Sequence, residues 1–292
     1  MQWGVLLAVV TLSLVVSTYM LWAWFKLPRA KALSSRQLLA LVATGLVAFI
    51  ADTVGIGSFA VEIALLRFFN CVDDQALPGV VNAAQVLPGA LESFFFLKMV
   101  AVDPWTLFIL VSGACCGGVI GGTVVSRLRQ HHIQITMAWA FVILALIIGL
   151  DLLGWLPFGG HATALTGTKL WCGFFGMMLA GILPAFGVGL FALVELLLFF
   201  LGLSPLVAFP IMTTAGALQQ PLTTVAFAMN GAIEYRKMFL VSFAGIVGVL
   251  LTVPLVTQLS PDLLHGLLLL VVAYNAVRLF QAYYNRSSRV PA

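Results

Sequence analysis

Charge is what this sequence has least of. Only 8% of its 292 residues are Asp, Glu, Lys or Arg, against about 25% in an ordinary soluble domain. With 62% apolar residues, that scarcity excludes a conventional water-soluble surface. Apolar runs of about 20 residues recur, and each can cross a bilayer as a helix. The runs are continuous rather than alternating, which excludes a transmembrane barrel. Basic stripes interleaved with aromatics are missing, so the net charge of +4 does not point to nucleic acid; the Lys and Arg residues lie between spans, where topology accounts for them. Cysteine is scarce as well. Cys71, Cys115, Cys116 and Cys172 form no metal-spaced pair, and neither do His131, His132, His161 and His265, so no metal and no cofactor is expected. A Gly-x-x-x-x-Gly-Lys-Ser/Thr loop is absent, as is a nucleophile with a paired base. ATP hydrolysis and enzymatic activity are therefore not expected.

What is present is a series of membrane-length segments. The first run, Trp3 to Phe25, lacks a preceding basic residue and a following cleavage pattern, and reads as a retained span with its start outside. The segment after it, KLPRAKALSSRQ, carries Lys26, Arg29, Lys31 and Arg36 and belongs in the cytoplasm. Ten further segments follow, at 38–54, 56–70, 76–99, 104–127, 133–153, 169–186, 188–203, 206–229, 235–258 and 262–284.

These ten divide into two sets of five that resemble each other. GIGSFAVEIALLRFF answers GVGLFALVELLLFFLG, ALPGVVNAA answers AFPIMTTAG, and VDPWTLFILVSGACCGG answers IEYRKMFLVSFAGIVG, at a nearly constant offset. The chain therefore reads as an N-terminal span with its basic loop (1–37), a first repeat (38–153), a linker (154–168), a second repeat (169–284) and a short cytoplasmic tail (285–292). The expected fold is all-α and polytopic. In each half the first two segments are short and broken at a Gly-x-Gly: Gly55 and Gly57, then Gly187 and Gly189. Short, glycine-interrupted segments at matching places in two halves mark the binding site of many transporters. Each pair is read as a re-entrant hairpin, followed by three full spans, so that the two repeats are inverted. This arrangement puts every Lys and Arg except Lys98 and Lys169 on or near the cytoplasmic side.

A helix that starts inside the membrane presents free N–H groups and a positive dipole end, which hold an anion without a basic side chain. Substrate-binding candidates are accordingly Gly55, Gly57, Ser58, Gly187 and Gly189 at the breaks, with Asn82, Gln85, Thr213, Thr214 and Gln219 in the polar segments beside them. The same amides and threonines also serve to tie helices together. Glu62 and Glu195 follow the two breaks at nearly matching places. Intramembrane carboxylates commonly carry protons, so both are proton-coupling candidates, with local hydrogen bonding as the competing role. Asp52, just before the first break, is a third candidate and equally a cap for the next helix through the amide of Ser58 or Gly57. Glu92 and Asp151 approach the outer surface, and Arg67 is placed to snorkel from a span end. Gly113, Gly117 and Gly121 recur every four residues, a spacing that permits close helix approach.

The Gly-x-Gly after a membrane helix, the A-x-P that follows, the VDPW leading a glycine-rich span, and the second copy of this pattern together resemble the sulfite exporter (TauE/SafE-like) family, the toluene sulfonate uptake permeases. The resemblance runs from about Leu38 to Tyr284. It implies a permease of the bacterial inner membrane that moves small sulfur-containing anions such as sulfite or organosulfonates. The chain departs from the family pattern in having GIGSF and GVGLF where a longer glycine run is usual, and in carrying Glu62 and Glu195. The expected function is thus secondary transport of a small anion by alternating access, with protons as the candidate coupling ion and the N-terminus outside. A passive channel and a non-transporting assembly subunit are the alternatives. The expected partners are the anion, protons and the lipid bilayer, and a homo-oligomer is compatible with the sequence.

Overall fold

The structure is a computed structural model describing residues 2–27, 32–54, 57–155 and 160–254. The expected last span, 262–284, lies outside these residues, as do Asn275, Arg278 and the C-terminal tail. The described chain folds as α1 (Gln2–Lys26), α2 (Ser35–Thr53), α3 (Ser58–Phe68), α4 (Leu77–Ala84), α5 (Val86–Met99), α6 (Pro104–Val125), α7 (Gln130–Leu152), α8 (Gly167–Ile182), α9 (Phe191–Phe200), α10 (Pro205–Met229) and α11 (Tyr235–Thr252). A 3₁₀ turn, Leu183–Phe186, closes α8. Among the described residues, six helical segments are long and apolar enough to cross a bilayer. The chain is an all-α, multi-pass membrane protein. α10 matches α1 in length, yet falls outside that set because Thr213, Thr214, Gln219, Gln220, Thr223 and Thr224 interrupt its apolar sequence.

Local chemistry explains most boundaries. α2 begins within the basic loop, before the expected start, because Ser34 and Gln37 form a capping box. As a result only the second member of each broken pair is short: α2 has 19 residues and α3 has 11. Asp103 accepts the Thr106 N–H (2.8 Å) and starts α6 together with Pro104. Pro88 lacks an N–H and its ring disturbs the preceding turn, which divides α4 from α5 at Gln85.

Interhelical contacts fix the helix directions. Gly45 and Gly248 bring α2 and α11 together, with Gly45 against Val241 and Gly248 against Leu46. Gly245 meets both Phe49 of α2 and Pro88 of α5, and Thr53 of α2 meets Glu92 of α5. The α2, α4–α5 and α11 helices therefore run one way. On the other side, Gly113, Gly117 and Gly121 of α6 lie against Phe174, Met178 and Ile182 of α8, and Gly118 and Gly122 lie against Gln219 and Thr223 of α10. So α6, α8 and α10 run together. They oppose the first group, since Ser93 meets Thr214 and Phe96 meets Phe209. Because α2 and α4–α5 point the same way, α3 between them runs back along α2, on which it packs; α9 returns likewise between α8 and α10.

The small-residue seams are tight. A Cβ at Gly113, Gly117 or Gly121 would stand 2.3, 2.0 or 2.8 Å from the carbonyl oxygens of Phe174, Met178 and Ile182. No side chain fits there, and backbones pack at the closest approach that glycine allows.

Candidate functional site

The breaks between α2 and α3 and between α8 and α9 meet in the interior of the bundle. Gly57 has φ +88° and Gly187 has φ +80°, backbone that other residues rarely adopt. A Cβ on Gly57 would lie 3.9 Å from Cβ of Phe191, and a Cβ on Gly189 would lie 3.0 Å from Cβ of Phe59. Each break thus receives the phenylalanine two residues beyond the other break's glycine. Gly55 lies outside the described residues.

The first break is built around carboxylates. Asp52 Oδ1 accepts the Ser58 backbone N–H at 2.6 Å, so the side chain occupies the N-terminus of α3. The Ser58 hydroxyl accepts from Gln85 Nε2 at 2.7 Å. Gln85 Nε2 reaches Glu62 Oε2 as well, at 3.0 Å. Asp52 lies beside Glu92, which accepts from Thr53 Oγ1 at 2.6 Å. All six side chains are buried. Glu62 Oε1 is buried with no hydrogen-bond partner.

This arrangement corrects several expectations. The N–H of Ser58 is not open to an anion, because Asp52 already caps it. Gln85 is committed to Ser58 and Glu62. Glu92 is not near the outer surface but inside, one strand of the same network. Sequence reading missed its membership because Glu92 lies far from the break along the chain, and only the packing of both α2 and α5 on α11, in parallel, brings them together. Arg67 does not snorkel: it is buried and pairs with Asp74, so its charge is met within the protein. Glu195 is not the counterpart of Glu62. The reciprocal glycine–phenylalanine contacts set the register so that wholly buried Val194 matches Glu62. Glu195, one residue on, is turned about 100° around its helix and is half-buried.

The second break has different chemistry. Among the described residues no side chain bonds to the start of α9; Leu190 stands where Ser58 stands in the first half. Asn82 Nδ2 donates to the Pro184 carbonyl (2.6 Å), which also accepts the Gly187 N–H, and to the Pro78 carbonyl of its own helix (2.8 Å). Gln219 Nε2 donates to the Gly181 carbonyl (3.2 Å) and to Thr223 Oγ1 (2.6 Å). The Oδ1 of Asn82 and the Oε1 of Gln219 are buried without partners. Thr213 bonds back to its own helix, at the Phe209 and Pro210 carbonyls, and Thr214 bonds to Ser93 at 3.1 Å. Thr214 thus links α10 to α5, while the bonds of Thr213 stay within α10.

A cavity of about 460 Å³ opens where α4 begins and α6 and α10 end, lined in part by Asp73, Ala76, Ser126, Phe227 and Asn230. Its inner end is closed by Phe227, which packs against Gly79, one turn before Asn82. Arg127, Arg129, Arg236 and Lys237 belong to this same end of the bundle.

Fold and composition define the class, a multi-pass all-α membrane protein. Comparison with known proteins adds no family: no family model, no curated protein and no solved structure matches the chain.

Proposed function

We propose that the chain is a secondary transporter of a small anion, a sulfur-containing oxyanion or an organosulfonate, working by alternating access in a bacterial inner membrane. The observation that carries this reading is the meeting of two helix breaks inside the bundle, with each glycine seated against the other break's phenylalanine. Broken helices facing each other across a pseudo-two-fold axis form the binding site of many transporters built from inverted repeats. The helix directions support such an inversion: α2, α4–α5 and α6 run in the sense opposite to α8, α10 and α11, element by element. Under this reading α3 and α9 are re-entrant, and the end bearing Arg127, Arg129, Arg236 and Lys237 is cytoplasmic. The resemblance to the sulfite exporter family rests on the same breaks.

The anion binds at the second break. There the N-terminus of α9 is uncapped and offers backbone N–H groups and a positive dipole end. Asn82 and Gln219 bond to the turn and helix that lead into it, and their free oxygens accept from water or from the hydroxyl of a protonated oxyanion. The cavity ending at Phe227 is the cytoplasmic approach.

Purified protein in proteoliposomes tests this. Uptake of ³⁵S-labelled sulfite, or of a labelled small sulfonate, that saturates with concentration and shows accelerated exchange against internal substrate supports a carrier. Non-saturating flux without exchange marks a channel, and absence of flux for every small anion tried overturns the reading.

A further inference from the structure

We propose that Asp52, Glu62 and Glu92 form the site that takes up the coupling proton, so that protonation belongs to the first break and substrate binding to the second. The proposal rests on the transporter reading above and assigns the coupling residues within it.

Three carboxyls are fully enclosed in one hydrogen-bonded cluster. Unpaired charge in such a place is expensive, and three negative charges without a counter-ion are far more so. The neighbouring elements bring no counter-ion to the described structure. α10 has no ionisable residue. On α3, Arg67 is taken by Asp74. On α5, Lys98 is exposed and lies over the rings of Phe94 and Trp3. The ionisable groups of α11, Tyr235, Arg236 and Lys237, are confined to its first turn, far along that helix from the Phe49–Gly245 contact beside the cluster. On α9, Glu195 is turned away. The carboxyls do not converge as a metal-binding set.

A proton is the ligand this arrangement takes. Asp52 and Glu92 lie against each other in this enclosed place, and a proton on one of the two carboxyls removes the repulsion between them. A second observation comes from the other half of the chain. Gln220 is buried, and its Oε1 has no partner. It lies 3.1 Å from the Cβ position of Gly89, on the face of α5 shared by Gln85 and Glu92. That oxygen accepts an O–H, and so does the free Oε1 of Glu62; neither can bond to a carboxylate that lacks a proton. Uptake is a simple transfer: a hydronium ion gives its proton to a carboxylate oxygen, an O–H bond forms, and water leaves.

The chemistry of the two breaks then couples them. An anion at the uncapped start of α9 repels carboxylates at the opposed break, and in a medium of low dielectric this is strong. Anion binding and proton binding favour each other by the same factor, as linkage requires, and the two move together in one direction.

The test uses wild-type protein and the E92Q, E62Q and D52N variants. In proteoliposomes, sulfite uptake driven by an inward proton gradient is divided by sulfite exchange in the absence of a gradient. E92Q and E62Q lower this ratio at least about fivefold. A ratio equal to wild type in both variants overturns the proposal. A second readout needs no substrate, which keeps failure here distinct from failure of the anion reading. Infrared difference spectra between acidic and alkaline buffer show a protonated-carboxyl band in wild type. E92Q or E62Q removes part of the band, whereas K98Q leaves it whole. A band absent from wild type, or unchanged in both glutamine variants, also overturns the proposal. If D52N fails to fold because the α3 cap is lost, the glutamate variants and the wild-type spectrum decide.

Discussion

Gly57 and Phe191 face each other across the two helix breaks, and Gly189 and Phe59 repeat the contact in reverse. The same sequence interval, from glycine to the second residue after it, makes both halves of the contact. That reciprocity gives the two breaks a common register, and it is tight on one side only. A Cβ at position 189 would meet Phe59 at 3.0 Å, whereas a Cβ at 57 has room but needs φ +88°. G189V is therefore expected to destabilise by overpacking, and G57A by backbone strain, each by about 1–3 kcal/mol. Thermal unfolding in detergent checks both. Combining G189V with F59A should restore much of the loss, while combining G57A with F191A should not, because strain is not relieved by making space.

The seam between α6 and α8 makes a harsher prediction. Gly117 would place a Cβ 2.0 Å from the Met178 carbonyl oxygen, and backbone cannot move aside as a flexible side chain can. G117L is expected to prevent stable folding and G117A to lower the unfolding temperature clearly. G149A on α7, where a Cβ meets nothing within 4 Å, is the control. Fluorescence-detected size exclusion and thermal unfolding read the difference.

Arg67 and Asp74 form an ion pair with Arg67 buried. Removing one partner strands the other charge, at a cost on the order of 3 kcal/mol. D74N should therefore be less stable than wild type. The double variant R67M/D74N should recover stability relative to D74N alone, since it leaves no orphan charge. A double-mutant cycle in thermal unfolding measures the coupling.

Phe227 lines the cavity and packs against Gly79, one turn before Asn82, between the cavity and that side chain. Truncation to alanine removes that barrier. In a background lacking the native cysteines, N82C should react slowly with a membrane-impermeant thiol reagent applied to inside-out vesicles. F227A should accelerate the labelling. Equal labelling with and without Phe227 would show that the ring is no barrier. N82A in the native background should weaken transport, because the second break loses the side-chain hydrogen bond that ties its turn to α4.

How much of this was readable in advance differs by residue. The apolar runs, their boundaries to within a few residues and the special glycines followed from composition and spacing, because span length and glycine's freedom are local properties. The glycine spacing on α6 announced a close contact, and α8 supplied it. Asp52 as a cap was also legible, since a carboxylate a short distance before a helix start has few other places to go. The one-residue difference between Glu62 and Glu195 was visible in the spacing from the two breaks; that it turns Glu195 about 100° around its helix and leaves it half-buried where Glu62 is wholly buried is what the structure adds. Arg67 was misassigned because its partner lies in the loop beyond α3.

By itself, the sequence determined that the chain is helical, multi-pass and membrane-bound, since scarce charge and long apolar runs leave no other solvent and no other backbone solution. It also determined where helices must break, because glycine and proline act through their own backbone. Only the tertiary structure decided which polar groups share an interior. Glu92 joins Asp52 because α2 and α5 run parallel. The two breaks meet because α3 and α9 turn back. One break is filled by its own carboxylate, and the other is left uncapped. Burial and hydrogen bonding are set by neighbours in space, and a helical membrane chain keeps those neighbours far apart in sequence.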